Sequence, residues 1–292
     1  GTIRRAIKLS EVSLDPAAMR VQTLPTGLRF IDDAFPFGGP GRGDMVAVAA
    51  RPKEGKSAFV LFAALHQLIA NPDAHLLYAL GEMDPATIVK RAMAAVSGVE
   101  LTKIMLVGDP VRGATAEEYD RAVAAVEPLL DRFEVLETPF TAADIRSEAV
   151  AGGNAIVVAD YLQAVQPATA SGSRVVDVDQ IGQDLRDLAR DRGVTLWAIS
   201  NLTKNAAGGQ AVNIGNAFRD SGRIGNEVTS AFMCKMPKGL EESIEIGEPL
   251  PPVHPLTWRC LANRHGEPRN IECFFDRPRQ QFRAMQFGGP SS

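Results

Sequence analysis

No apolar stretch in this 292-residue chain reaches the roughly 18 residues that a membrane-spanning helix requires. No CxxC pair is present. The three cysteines, Cys234, Cys260 and Cys273, are odd in number, far apart and set in apolar runs. The four histidines, His66, His75, His254 and His265, show no ligand spacing. This argues against structural zinc and a disulfide framework, and a reducing, cytoplasmic setting is expected. The opening GTIRRAIKLSEV lacks the apolar core and small-residue cleavage site of a secretory signal. It begins with Gly rather than Met, as expected of a piece trimmed from something longer. Basic residues are not in excess: 31 Lys and Arg against 35 Asp and Glu leave a net charge of −4. That argues against a basic coat over the whole surface but leaves room for a local nucleic-acid channel. No internal repeat is visible. With 45% hydrophobic and 23% charged residues, the composition is globular and excludes disorder for the bulk of the chain.

Apolar runs of strand length alternate with segments of helical spacing. MVAVAA at 45–50, HLLYAL at 75–80, residues 132–137, AIVVAD at 155–160 and VTLWAIS at 194–200 read as strands. Helices are expected from Ser57 to Ala70, from Asp84-Pro85 to about Val96, from the capping box at Thr115 and Glu118 to about Leu130, from Thr141, and from Asp177 to Arg192. Such alternation predicts an α/β fold, with a parallel sheet covered on both faces. After about Ser230 the rhythm changes. Residues 231–236, 256–264, 270–276 and 280–284 read as strands with few helices between them, and Gly266-Glu267-Pro268 as a hairpin turn. Residues 1–22 read as an arm. The small, polar, Gly-rich stretches 168–174 and 205–216 read as mobile loops.

The strongest chemical signal is Ala50-Arg51-Pro52-Lys53-Glu54-Gly55-Lys56-Ser57, with Ala58 continuing into the helix. It is a P-loop, G-x-x-x-x-G-K-[ST], with Ala in the first Gly position. A strand ends, a loop curls its N–H groups towards one point, and a helix begins there, which together hold phosphate. Lys56 is placed to neutralise β/γ phosphates and Ser57 to ligate Mg²⁺. Asp160, at the carboxyl end of a buried strand, can hold the same ion directly or from behind. Glu82, at a neighbouring strand end, is a candidate to orient water and accept its proton. Asp84 beside it reads as a helix cap. Asn201 is a candidate γ-phosphate sensor or a plain loop residue. Arg264, on the hairpin tip, suits a transition-state phosphoryl group if another protomer brings it to a nucleotide.

In sequence order, LPTGLRFID at 24–32, AARPKEGKSAF at 49–59, LGEM at 80–83, VVADYLQ at 157–163, ISNLTK at 199–204, FRDSGRI at 218–224 and ANRHGEP at 262–268 resemble hexameric replicative helicases of the DnaB-like type. The resemblance covers residues 23–285 and implies a RecA-like P-loop NTPase domain: a mostly parallel central sheet flanked by helices, with C-terminal antiparallel strands and a hairpin. Residues 1–22 would be an arm or linker and 286–292 a flexible tail. It implies ATP and Mg²⁺ as cofactors, single-stranded DNA as partner, a homo-oligomeric ring, and a primase or helicase loader. It also implies roles: Lys56 and Ser57 on phosphate and metal, Glu82 as the catalytic glutamate, Arg91 near the γ-phosphate, Asp160 on the metal, and Arg264 as a finger reaching the neighbouring subunit. The family's DNA-contacting loops fall on Arg174 and on Lys204, Asn205, Gly208 and Gly209.

This sequence departs from the family at three points: Gly81 is inserted before Glu82, Asn201 replaces the usual Gln, and Ala262 the usual Lys. The family's N-terminal primase-binding domain has no room here, so a motor fragment and a minimal version both stand as expectations. The expected function is an ATP-driven helicase motor; the alternative is a RecA-like, ATP-switched single-stranded DNA-binding recombination or annealing accessory.

Overall fold

The computed structural model describes residues 8–11, 13–202 and 227–285. The segment 203–226, with Lys204, Asn205, Gly208, Gly209 and the FRDSGRI motif, lies outside the described residues, as does the tail 286–292.

A 3-10 turn (Leu9–Glu11) and two short α-helices, α1 (Pro16–Met19) and α2 (Arg29–Asp32), precede β1 (Met45–Ala50). Then come α3 (Lys56–Ala70), β2 (Leu76–Leu80), α4 (Pro85–Ser97), α5 (Leu101–Met105), α6 (Ala116–Leu130), β3 (Phe133–Glu137) and α7 (Ala142–Ala151). β4 (Ile156–Asp160), α8 (Arg174–Arg192), β5 (Thr195–Asn201), β6 (Ser230–Lys235) and α9 (Lys238–Ile246) follow, and β7 (Val253–Asn263), β8 (Ile271–Asp276) and β9 (Gln281–Ala284) close the fold. The nine strands among the described residues form one sheet in the order β3-β2-β4-β5-β1-β6-β7-β8-β9. Pairs from β3 to β6 are parallel; those from β6 to β9 are antiparallel.

Alternation along each strand makes two cores. Val46, Val48 and Ala50 face the layer containing α3, α4 and α6, whereas Met45, Ala47 and Ala49 face α7 and α8. β1 is buried on both faces, which is why it reads as an unbroken apolar run. The caps form as expected. Asp84 accepts from the Thr87 N–H at 2.8 Å, with Pro85 opening α4, and Thr115 and Glu118 close a capping box. The 24–32 motif is structural: the Asp32 carboxylate accepts from the N–H groups of Thr26 (2.8 Å) and Gly27 (2.9 Å). Trp197 Nε1 donates to Gln67 Oε1 at 2.7 Å, and Gln67 Nε2 donates to the Leu24 carbonyl at 2.6 Å, tying this segment to the core. Phe59 of α3 stacks on Trp258 with centroids 4.4 Å apart and meets Trp197 edge-on.

Several features differ from the sequence reading. α8 begins at Arg174 rather than Asp177, so the helix takes in the last residue of the stretch read as a loop, and the short α5 is not among the expected helices. α9 interrupts the C-terminal strands, anchored by Leu240 and Ile244, four residues apart, against the core. β7 starts at Val253 rather than 256. Its pairing with β6 stops at Thr257, so Pro255 lies where β7 has no neighbour on that side and its missing N–H costs no ladder bond.

The two antiparallel crossings return β8 to the direction of β1. The carboxyl end of β8 therefore lies at the sheet edge where β1, β2, β4 and β5 also end, and the 264–270 hairpin lies at the opposite edge. Among the described residues no helix is long and apolar enough to cross a membrane.

Candidate active site

The P-loop leaves β1 at Ala50, which pairs in register with Asn201 of β5. Lys53 (φ 71°) and Gly55 (φ 88°) take the left-handed backbone that curls the loop into α3. A Cβ on Gly55 would also stand 2.9 Å from Phe275 Cε1, so both the backbone and the space require glycine. Glu54 turns inward. Its carboxylate is 3% exposed and accepts from the Arg51 N–H at 2.7 Å, with the Arg51 Nε 3.8 Å away. Burial pushes the Glu54 carboxyl above its usual 4.5, against the lowering effect of the Arg51 hydrogen bond. Glu54 thus braces the loop from below.

Above the loop lies a cavity of about 270 Å³ lined by Lys53, Gly55, Lys56, Ser57, Ala58, Arg91, Phe275, Arg277 and Gln280. Four of these side chains are cationic, in a chain of net charge −4. Arg91 donates from Nη1 to Gln280 Oε1 at 3.3 Å. Its Nε is buried without a hydrogen-bond partner among the described residues. An orphaned guanidinium N–H in a cationic cavity at a helix N-terminus fits an anion such as a phosphate chain.

Asp160 sits behind Ser57, 6% exposed. Ser57 Oγ donates to its Oδ1 at 3.1 Å and the Tyr78 hydroxyl to its Oδ2 at 2.8 Å. Burial raises the Asp160 pKa above 3.8; the Tyr78 and Ser57 hydrogen bonds and the Lys56 and Arg91 charges offset this only in part. A hydroxyl and one carboxylate are hard oxygen donors that suit Mg²⁺. Among the described residues no group of three or more His, Cys, Asp or Glu stands ready to hold a metal. An ion here would therefore take further oxygens from phosphates and water, as Mg²⁺ does.

The remaining residues singled out from sequence are dispersed. Glu82 is exposed, just past β2 and outside the cavity lining. The inserted Gly81 has a physical reason: its N–H donates to the Asp160 carbonyl at 2.7 Å, and a Cβ there would lie 2.6 Å from Ala164 Cβ. Ala50, Arg51, Pro52, Asn201 and Asp160 also lie outside the lining. Arg264 is exposed at the opposite sheet edge, its N–H donating to the Thr229 carbonyl at 2.9 Å. There it neighbours Arg186, whose pKa is lowered by burial and then by the Arg264 charge. Arg174 opens α8, and its guanidinium donates to the Gln163 carbonyl.

Sequence reasoning missed Phe275, Arg277, Gln280 and Tyr78. The first three are placed by strand order, which no local motif announces. A tyrosine two residues before the end of an apolar strand was the available signal for the fourth.

A P-loop following a central strand, a mostly parallel sheet and an antiparallel C-terminal extension together define a RecA-like ATPase fold. The DnaB-like helicase C-terminal domain family matches residues 23–284, and the chain belongs to that family. It is 27% identical over 192 residues to the replicative DNA helicase DnaB of Haemophilus influenzae, covering 62% of this chain and 40% of that protein. It is 28% identical over 189 residues to DnaB of Geobacillus stearothermophilus, with the same coverage. The chain thus spans about two fifths of these relatives. A solved ATPase domain superposes with a TM-score of 0.77 at 21% identity, covering 91% of this chain and 93% of that one. A DnaB-like replicative helicase, solved in a study of its interactions with primase, gives 0.77 at 21% over 98% of this chain and 69% of that one.

Proposed function

We propose that this chain is the motor of an ATP-dependent DNA helicase that works as a hexameric ring, translocating on single-stranded DNA and unwinding duplex. The observation that supports this reading best is the cationic cavity at the start of α3, backed by the Ser57–Asp160 pair. Nucleotide binding is assigned to residues 50–58 with Arg91 and Asn201, Lys56 holding the β/γ phosphates and Arg91 the γ-phosphate. Ser57 and Asp160 would hold Mg²⁺, which when bound supplies positive charge to the phosphate oxygens. Glu82 orients a water and takes its proton as the new oxygen–phosphorus bond forms and the β–γ bridge breaks. Arg264 completes the site of a neighbouring copy. Arg174, with Lys204, Asn205, Gly208 and Gly209 beyond the described residues, is assigned to DNA. A cytoplasmic setting and contact with primase or a loader follow from the same reading.

The test is strand displacement on forked DNA with ATP and Mg²⁺, beside a Lys56→Ala variant. Unwinding by the wild type and none by the variant is expected. Wild-type ATP hydrolysis without displacement would overturn the helicase reading in favour of an ATP-switched DNA-binding protein. Turnover that survives Lys56→Ala would overturn the site itself.

A further inference from the structure

Tyr78, in the middle of β2, is fully buried in the core on the face of the sheet that α3 covers. A phenylalanine would fill this space equally well. A buried hydroxyl needs a partner, and the one Tyr78 meets is the carboxylate behind the P-loop, at 2.8 Å. Tyr78 and Asp160 lie on neighbouring parallel strands, Leu80 pairing with Asp160, so their side chains project to the same face of the sheet. The two Asp160 oxygens are divided: Oδ1 accepts from Ser57 and Oδ2 from Tyr78. With Oδ2 held, rotation of the carboxylate would break a hydrogen bond to a charged group in the protein interior, where such bonds are strongest.

We infer that Tyr78 is a positioning residue for the metal pair: its hydroxyl locks the Asp160 carboxylate so that Oδ1 stays aimed at the Ser57 hydroxyl. The inference rests on the proposed Mg-nucleotide site. It differs from a packing role in one respect. A packing residue affects the whole fold, whereas this hydroxyl acts on the metal-dependent part of nucleotide binding alone.

The full chain is titrated with a fluorescent ADP analogue, first in chelator and then with increasing Mg²⁺, as wild type and as Tyr78→Phe. In the wild type, Mg²⁺ tightens binding. In Tyr78→Phe, affinity in chelator is unchanged while the half-saturating Mg²⁺ rises roughly tenfold or more, the scale of one lost hydrogen bond to a charged group. A variant with the wild-type Mg²⁺ dependence overturns the inference. So does one in which affinity falls equally with and without Mg²⁺, since that is a packing effect. A wild type that binds the analogue without responding to Mg²⁺ overturns the metal-site reading beneath it.

A second measurement does not depend on the variant folding. The chain has three tyrosines, Tyr78, Tyr119 and Tyr161. With 3-fluorotyrosine at all of them, the Tyr78 fluorine resonance is assigned by elimination using Tyr119→Phe and Tyr161→Phe. It shifts when Mg²⁺ is added to the ADP-bound protein; an unmoved resonance overturns the inference.

Discussion

Arg264 and Lys56 stand at opposite ends of the same strand. The Arg264 N–H bonds to the Thr229 carbonyl, and the Thr229 N–H bonds to the carbonyl of Met45, the first residue of β1. Lys56 opens the helix that follows the other end, past Ala50. At roughly 3.3 Å per residue, β1 alone keeps them some 16 Å apart. Arg264 is thus based at the sheet edge opposite its own P-loop, which is why the P-loop it would serve is proposed to be a second copy's.

Hydrolysis should therefore depend on assembly. Lys56→Ala and Arg264→Ala are each expected to be inactive, the latter by ~10³–10⁵ in rate. Mixing them should restore activity, because mixed assemblies would contain interfaces with both residues intact. If subunits exchange and no ratio restores activity, Arg264 does not act between subunits.

Glu82→Gln should leave nucleotide affinity nearly unchanged while stopping hydrolysis, since the amide keeps the shape but accepts no proton. Equilibrium binding beside single-turnover hydrolysis separates the two effects. Retained hydrolysis would move the base to another acid, Asp84 being the nearest in sequence.

Gly81→Ala should cost stability and activity together. The added Cβ would meet the Asp160 carbonyl oxygen at 2.8 Å and the Ala164 Cβ at 2.6 Å, both on the β4 side of the site. Overpacking of this kind costs about 1–3 kcal/mol. A melting curve and a turnover assay check it; wild-type values in both would mean the contact relaxes freely.

Glu54 gives a pH signature. Its carboxyl titrates higher in the folded protein than its usual 4.5 because burial disfavours the charge. Between those two values the folded state holds more protons than the unfolded, so this group's contribution falls as pH rises and the cost persists above the window. Glu54→Gln removes the titration. Its melting temperature relative to wild type should be higher near pH 7 than near pH 4, by roughly 2–4 °C per kcal/mol recovered. An advantage that grows towards acid pH would contradict the assignment.

The parts of the site that lie along one stretch of chain were readable in advance. The P-loop is a strand, a turn and a helix start within a dozen residues, and Asp160 ends a run of buried apolar residues. Asp84 and Thr115 declared their caps because capping is local chemistry. Phe275, Arg277 and Gln280 reach the same cavity only because β7 and β8 reverse direction twice, and register of that kind is a property of the assembled sheet. Gly81 looked like a disruption in sequence; its reason is the backbone of β4, which comes close only in three dimensions. α9 is faint in the sequence because only two anchoring residues, Leu240 and Ile244, in a short polar segment carry its periodicity.

The aromatic contacts around Phe59 also make the chain its own optical sensor. Its only two tryptophans, Trp197 and Trp258, are both sealed from water and both touch Phe59, which lies two positions beyond Ser57 on the P-loop helix. Their emission needs no label and has no surface tryptophan to dilute it. Any ligand that shifts the start of α3 changes the surroundings of both indoles at once, so occupancy of the cavity can be followed as a change in native fluorescence.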